Sequence, residues 1–484
     1  MSRNKYIDRF TFYLFLMFAV ASCKKQVEVN PPVTSINADN VYGTDATASA
    51  VLTGLYTRIS QTSDYGNRGI PTMSMTAGLS ADELRLYTGA NADDIACYTN
   101  SLSISNMSTT NHWSKIYPYL FIANSAIEGL ANSTTLTPAV KQQLQGEAKF
   151  MRAFFYFYLV NFYGDVPLVL GTDYTVNAVL PRTPKAQVYQ QIITDLKDAQ
   201  GLLIDGYVDG TVLKSTSARV RPNKWAATAL LARTYLYSGD FVNAETQATL
   251  VINNSSLYNL VTDLNKVFLA NSREAIWQFQ PVLSGWNTED AKLFIISNAP
   301  AGLNAVHPVY LSSYLLNAFE TGDARKTNWI NSYTDPTGTY NYPYKYKSAT
   351  NGTPVTEYLM VLRLAEQYLI RAEARAQQNN INEAQNDLNM IRARAGLTNT
   401  TASDKASLLS AILQERRVEF FSEWGHRWLD LKRTNGIDVV MNVITPQKAA
   451  NFSLSRQWNT NQQLYPIPFI EIQRDINLVQ NQGY

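Results

Sequence analysis

Between residues 140 and 162 apolar and aromatic positions recur at helical spacing and crowd toward the end of the segment as Phe150, Phe154, Phe155, Tyr156, Phe157, Tyr158 and Phe162. Gly164-Asp165, with Pro167 beyond, closes the pattern, which predicts one long buried helix. Pro184 opens a second helix that runs to about Leu203, and Pro222 opens a third. Ala232, Phe241, Ala244, Ala248 and Val251 then have counterparts 140 residues further on, in Ala372, Ile381, Ala384, Leu388 and Ile391. Each set describes two antiparallel helices in which small residues let the second close on the first. The spacing resembles the tetratricopeptide pattern. Tyr235 and Gly239 fit it in the first copy, whereas Arg375 and Asn379 take those places in the second.

Two stretches break the helical pattern. Residues 253–356 are rich in Asn, Thr, Gly, Pro and Tyr, with short β-like runs such as Ala275-Ile276-Trp277-Gln278-Phe279. Residues 32–115 are similarly irregular, with Gly66, Asn67, Gly69, Gly78 and Gly89 marking turns. Both read as long loops and short strands laid on a helical scaffold, Trp113, Tyr117 and Tyr119 preceding a helix. The predicted fold is therefore mainly α, a tetratricopeptide-like helical repeat scaffold with irregular loop and short-strand insertions. Binding groups are expected on the insertions, since loops held by rigid elements usually carry function.

Composition changes the picture at one place. The chain is 17% charged, yet residues 414–433, QERRVEFFSEWGHRWLDLKR, contain nine charged side chains and four Phe or Trp. Charges beside large rings imply buried, paired and hydrogen-bonded groups, because unpaired burial is costly. Glu415, Glu419 and Glu423 recur at i, i+4 and i+8 on one helical stripe, with Arg416 and Arg417 available as cross-helix partners. Glu415, Arg416, Arg417, Glu419, His426 and Arg427 are accordingly read as a structural charged cluster.

That block resembles a motif near the C-terminus of the SusD/RagB family of outer-membrane nutrient-binding lipoproteins, in which ERR, a short apolar stretch and GHRW are followed by an acid and LKR. Other blocks agree in the same order: GEAKFMRAFFYFYLVNFYGDVPLV from Gly146, AATALLARTYLYSGDF from Ala226, VLRLAEQYLIRAEA from Val361, LNMIRARAGL from Leu388, YPIPFIEI from Tyr465 and the closing INLVQNQGY. Ile476 and Gln482 stand where prolines are common in the family. The resemblance implies a SusD-like body over residues 33–484, with a C-terminal RagB/SusD segment over about 253–484. It further implies a binding subunit that captures oligosaccharide, or peptide in RagB-like members, and hands it to a SusC-like TonB-dependent outer-membrane barrel.

The N-terminus fits that implication. Arg3, Lys5 and Arg9 precede an apolar run at 10–20 that is too short to span a bilayer, and Val20-Ala21-Ser22-Cys23 resembles a bacterial lipobox. Residues 1–22 read as a lipoprotein signal peptide, Cys23 as the acylated residue and 23–32 as a tether. The expected location is the outer membrane, lipid-anchored and surface-facing. Only Cys97 remains besides Cys23, so the fold must rest on its core. A net charge of +2 with no basic stripe gives no footprint for nucleic acid.

No nucleotide, metal or hydrolase motif is present, and the three histidines, His112, His307 and His426, have no metal-ligand spacing. The strongest enzymatic alternative is a carboxylate pair, Asp82 and Glu83, acting on a glycoside. That chemistry needs carboxyls facing across a bond roughly 5–10 Å apart. Adjacent residues do not meet that requirement, so no enzyme and no cofactor are expected. A scaffold that binds protein alone is the other alternative. With 29 Tyr and 8 Trp, the chain is well supplied with rings whose faces stack on sugars while polar neighbours bond the hydroxyls. The candidate ligand residues are Tyr65, the group Asp82, Arg85 and Tyr87, and Trp286 in its polar loop. Tyr340, Tyr342 and Tyr344 are read as packing, with Lys345 and Lys347 on a solvated strand face.

Overall fold

A computed structural model describes residues 38–61, 69–298 and 300–484. The signal peptide, Cys23, the tether and Tyr65 lie outside the described residues. Among the described residues no helix is long and apolar enough to cross a membrane.

The scaffold is a ladder of helices, each packed on the next: Met107–Asn132, Pro138–Tyr163, Lys185–Leu202, Lys224–Ser238, Phe241–Ile252, Leu364–Gln377, Ile381–Arg394 and Lys405–Glu419. Every residue from Phe150 to Tyr163 is buried, and Trp277 meets Phe150 and Phe154 edge-on at 4.9 and 5.2 Å. The repeat positions behave as their spacing requires. Ala232, Ala244, Ala248 and Val251 are buried, as are Ala372, Ala384, Leu388 and Ile391. The second hairpin stacks directly on the first, although more than a hundred residues separate them in the chain.

Those intervening residues form short two-stranded ribbons on the ladder. Ala275–Phe279 pairs with Leu359–Arg363, and Ile330–Asp335 pairs with Gly338–Pro343. Leu84–Leu86, from the N-terminal insertion, pairs antiparallel with Val309–Leu311 in the register Leu84↔Leu311, Arg85↔Tyr310 and Leu86↔Val309.

The described part of residues 32–115 is more helical than its composition indicates. Asp45–Ser60 is a helix capped by the Thr44 side chain, which accepts from the Thr47 N–H. It buries Ala48, Leu52, Leu55 and Ile59. Its Thr, Ser and Gly content is poor helix material, and packing against neighbouring helices decides the outcome. Trp113, Tyr117 and Tyr119 likewise lie inside Met107–Asn132 and not ahead of it.

Candidate functional site

The charged block folds into a buried ion-pair network. Arg325 binds Glu415 at 2.6 Å, Glu419 at 2.8 Å and Asp323 at 2.8 Å. Arg363 binds Glu419 at 2.5 Å, Glu423 at 2.9 Å and Glu274 at 3.2 Å. Arg394 joins Glu274 to Glu419. All of these side chains are buried. Glu274 and Glu419 each satisfy more than one planar guanidinium, which offsets the desolvation that would otherwise expel the charges.

The network departs from the helical stripe in two ways. The helix ends at Glu419, and Glu423 sits in a turn in which Ser422, Trp424 and Gly425 all adopt positive φ. The partners of the glutamates come from distant elements, because Arg416 is held by Asp430 at 2.7 Å and Arg417 by Asp82 at 2.7 Å. Lys345 is not on a solvated face. Its ammonium is buried, 2.5 Å from Glu423, and also donates to the Glu419 carbonyl. Burial lowers its pKa to about 8, with the Glu423 carboxylate opposing the shift. His426 is buried beside the Phe420 ring, and burial together with Arg233 and Arg416 holds it neutral.

This network anchors the start of the Leu84–Leu86 strand. Asp82 accepts from Arg427 at 2.8 and 2.9 Å as well as from Arg417. Burial pushes the Asp82 carboxyl up, but the two guanidiniums outweigh it and hold the pKa at about 2. Glu83 is buried with no ion-pair partner among the described residues, and burial, then the Asp82 charge, raises it to about 8. Ser312 clasps both residues, its N–H donating to the Glu83 carbonyl and its hydroxyl to the Asp82 carbonyl.

Beyond that clasp the ribbon is two-faced. Leu84, Leu86, Val309 and Leu311 point into the core, so Arg85 and Tyr310, directly opposite each other, share the outer face. Tyr87 continues that face, its N–H held by the Pro308 carbonyl. Tyr340 lies with its ring 5.1 Å from that of Tyr310, and its hydroxyl meets Thr337 at 2.7 Å. Tyr342 points inward and is buried, its hydroxyl on Ser297. Beside Arg85 opens a cavity of about 270 Å³ whose lining includes Asp82, Tyr98, Tyr314, Lys448 and Asn451.

The structure thus brings Arg85 and Tyr87 together with Tyr310, Tyr314 and Tyr340, which the sequence reading passed over or assigned to packing. The alternation Leu-Arg-Leu and Val-Tyr-Leu was the available signal. Asp82 is engaged in salt bridges beneath this surface. Trp286 is not part of the cavity wall. Its half-buried ring carries the Lys292 ammonium 4.9 Å from its centroid, on a loop anchored by Asn287 to residues 348–357.

Two family models match the chain. One described as SusD family covers residues 274–484, and one described as starch-binding associating with outer membrane covers 37–236. The chain belongs to the SusD/RagB family. SusD-like protein P2 of Formosa agariphila is 26% identical over 98% of this chain and 99% of its own. Among solved structures, a SusD superfamily protein from Bacteroides vulgatus superposes with a TM-score of 0.76 at 20% identity, covering 91% of this chain and 99% of that one. Surface glycan-binding protein A from Bacteroides uniformis gives 0.75 at 20% identity, over 90% and 99%. The mainly α SusD-like fold expected from the sequence is the fold observed.

Proposed function

We propose that this SusD/RagB member is a lipid-anchored, non-enzymatic subunit at the outer membrane. In this reading it binds oligosaccharide on the Arg85–Tyr310 face and passes it to a SusC-like TonB-dependent barrel. The observation that carries the reading is the cluster of half-exposed tyrosines, Tyr87, Tyr310, Tyr314 and Tyr340, around an exposed arginine and a polar cavity. Ring faces stack on sugar C–H surfaces and the polar rim bonds hydroxyls. Membership in the family and the glycan-binding name of a structural neighbour support it. A peptide ligand, as in RagB-like members, is the alternative for the same face.

The geometry of Asp82 and Glu83 speaks against that pair as the site of a hydrolase. A catalytic carboxylate pair needs both groups at the substrate. Asp82 is clamped by two arginines, and Glu83 is buried and does not line the cavity. Tyr310→Ala is expected to weaken oligosaccharide binding by about 1–3 kcal/mol, the usual cost of truncating a stacked anchor. Isothermal calorimetry against a glycan panel measures it. Unchanged affinity in a folded variant would remove the face from consideration, and binding only to peptides would favour the RagB-like ligand.

For the anchor, Cys23→Ala is expected to abolish metabolic palmitate labelling and release the protein from the membrane fraction. Retained labelling would refute acylation at Cys23.

A further inference from the structure

The cavity beside Arg85 has an uneven charge balance. The one carboxylate in its lining, Asp82, is bound by two guanidiniums, Arg417 and Arg427, so that group carries a net positive charge. Lys448 in the wall adds only a partial positive charge near neutrality, because burial lowers its pKa to about 7 against the opposing pull of Asp82. The three donors of Lys448 are all spent on the carbonyls of Leu79, Ser80 and Ala81, so it contributes field but no free hydrogen bond.

Arg85 differs from these buried cations. It is exposed and has no carboxylate within ion-pair distance among the described residues. Its one side-chain hydrogen bond runs from Nη2 to Asn451 Oδ1 at 2.9 Å. Asn451 is in turn fixed by donating to the Tyr98 hydroxyl at 2.9 Å. The guanidinium is therefore oriented through one of its five N–H groups and keeps the others for a ligand. A planar fork held in this way suits two-point contact with an oxyanion. At about 270 Å³ the space lies just below the range of roughly 300–1,000 Å³ usual for small-molecule sites, enough for a single sugar unit or side branch. Tyr98 and Tyr314 provide ring surface in the same wall.

We infer that this cavity selects an acidic sugar, one bearing a uronate carboxylate or a sulfate ester, with Arg85 as the group that grips the anion. The inference rests on the reading of the chain as a glycan binder and adds the charge class of the glycan. A neutral sugar would leave the guanidinium solvated and gain nothing from the surrounding positive field, whereas an anion draws on both.

The test compares acidic oligosaccharides with their own neutralised forms by calorimetry on the full mature chain. Oligogalacturonate is run against its methyl ester, and a carrageenan oligosaccharide against its desulfated form. At least a tenfold preference for one acidic form is expected, shrinking as salt is raised, and the arm that shows it distinguishes carboxylate from sulfate. Arg85→Gln, a surface change that leaves the melting temperature in place, is expected to erase the preference. Equal affinity for the acidic and neutral forms would overturn the charge assignment while leaving glycan binding intact. A preference that survives Arg85→Gln would overturn the role of Arg85. Binding to none of the four probes, with neutral glycans also failing, would sink both this inference and the function on which it rests.

Discussion

Glu419→Ala is expected to cost about 3–5 kcal/mol of folding stability, the usual penalty for removing one partner of a buried ion pair. Glu419 accepts from three arginines, Arg325, Arg363 and Arg394, and is fully buried. Burial alone would raise its pKa, yet the three guanidiniums hold it well below the carboxylate range. Alanine would remove the one acceptor that all three arginines share and leave their guanidinium donors short of partners in a dry interior, and water cannot enter without opening the core. The effect would spread, because Arg363 ties the strand Leu359–Arg363 to the turn at Glu423, and Arg325 ties residues 323–325 to the helix Lys405–Glu419. Denaturant unfolding followed by circular dichroism measures the loss. Glu320→Ala provides the contrast. Its carboxylate is 49% exposed opposite Arg392, and such pairs are worth about 0–1 kcal/mol. Equal small losses in both variants would refute the account of the network as a unit that holds the fold.

Glu83→Gln is expected to stabilise the protein by a few kcal/mol at pH 8 and to change little at pH 4.5. The unfolded chain releases the Glu83 proton near its ordinary value of 4.5, whereas the folded chain keeps it to about 8, chiefly because of burial and secondarily because of Asp82. Between those values the folded state binds more protons than the unfolded state, so stability falls as pH rises. One pKa unit corresponds to about 1.4 kcal/mol, and relaxation of the site reduces the total below the full shift. Glutamine matches the shape of the protonated acid and has no charge to acquire. The difference between variant and wild type should therefore grow from pH 4.5 to 8 and then level off. Comparing the two at each pH cancels the opposing contribution of Lys345, which is common to both. A difference that stays constant with pH would show that Glu83 ionises normally in the folded protein.

The large helices were legible because their signal is local. Residues 140–162 carry their own periodicity, and the two repeat hairpins announce themselves through small residues at fixed spacing. The helix Asp45–Ser60 was not legible, since its threonines, serines and glycine have weak intrinsic preference and only contact with neighbouring helices makes it helical. The charged block was recognisable as paired, yet its pairing was not. Arg416 and Arg417 are adjacent to the glutamates in sequence and are spent elsewhere, while Arg325, Arg363 and Arg394 arrive from three separate elements. Lys345 was misplaced for the same reason: nothing near it in the chain reveals that Glu423 is waiting beneath.

The candidate binding face shows the same division. Arg85 and Tyr87 were singled out from sequence, but Tyr310 and Tyr340 join them only through strand register and ring contact between segments far apart in the chain. The chain by itself pointed to its family through the resemblance of its motif blocks, and it determined its helical ladder and the need for buried charge pairs because periodicity and composition are properties of contiguous residues. Tertiary structure alone decided which cation neutralises which acid, which tyrosines face outward and where a cavity opens, because those depend on distances between residues that meet only when the insertions settle on the ladder.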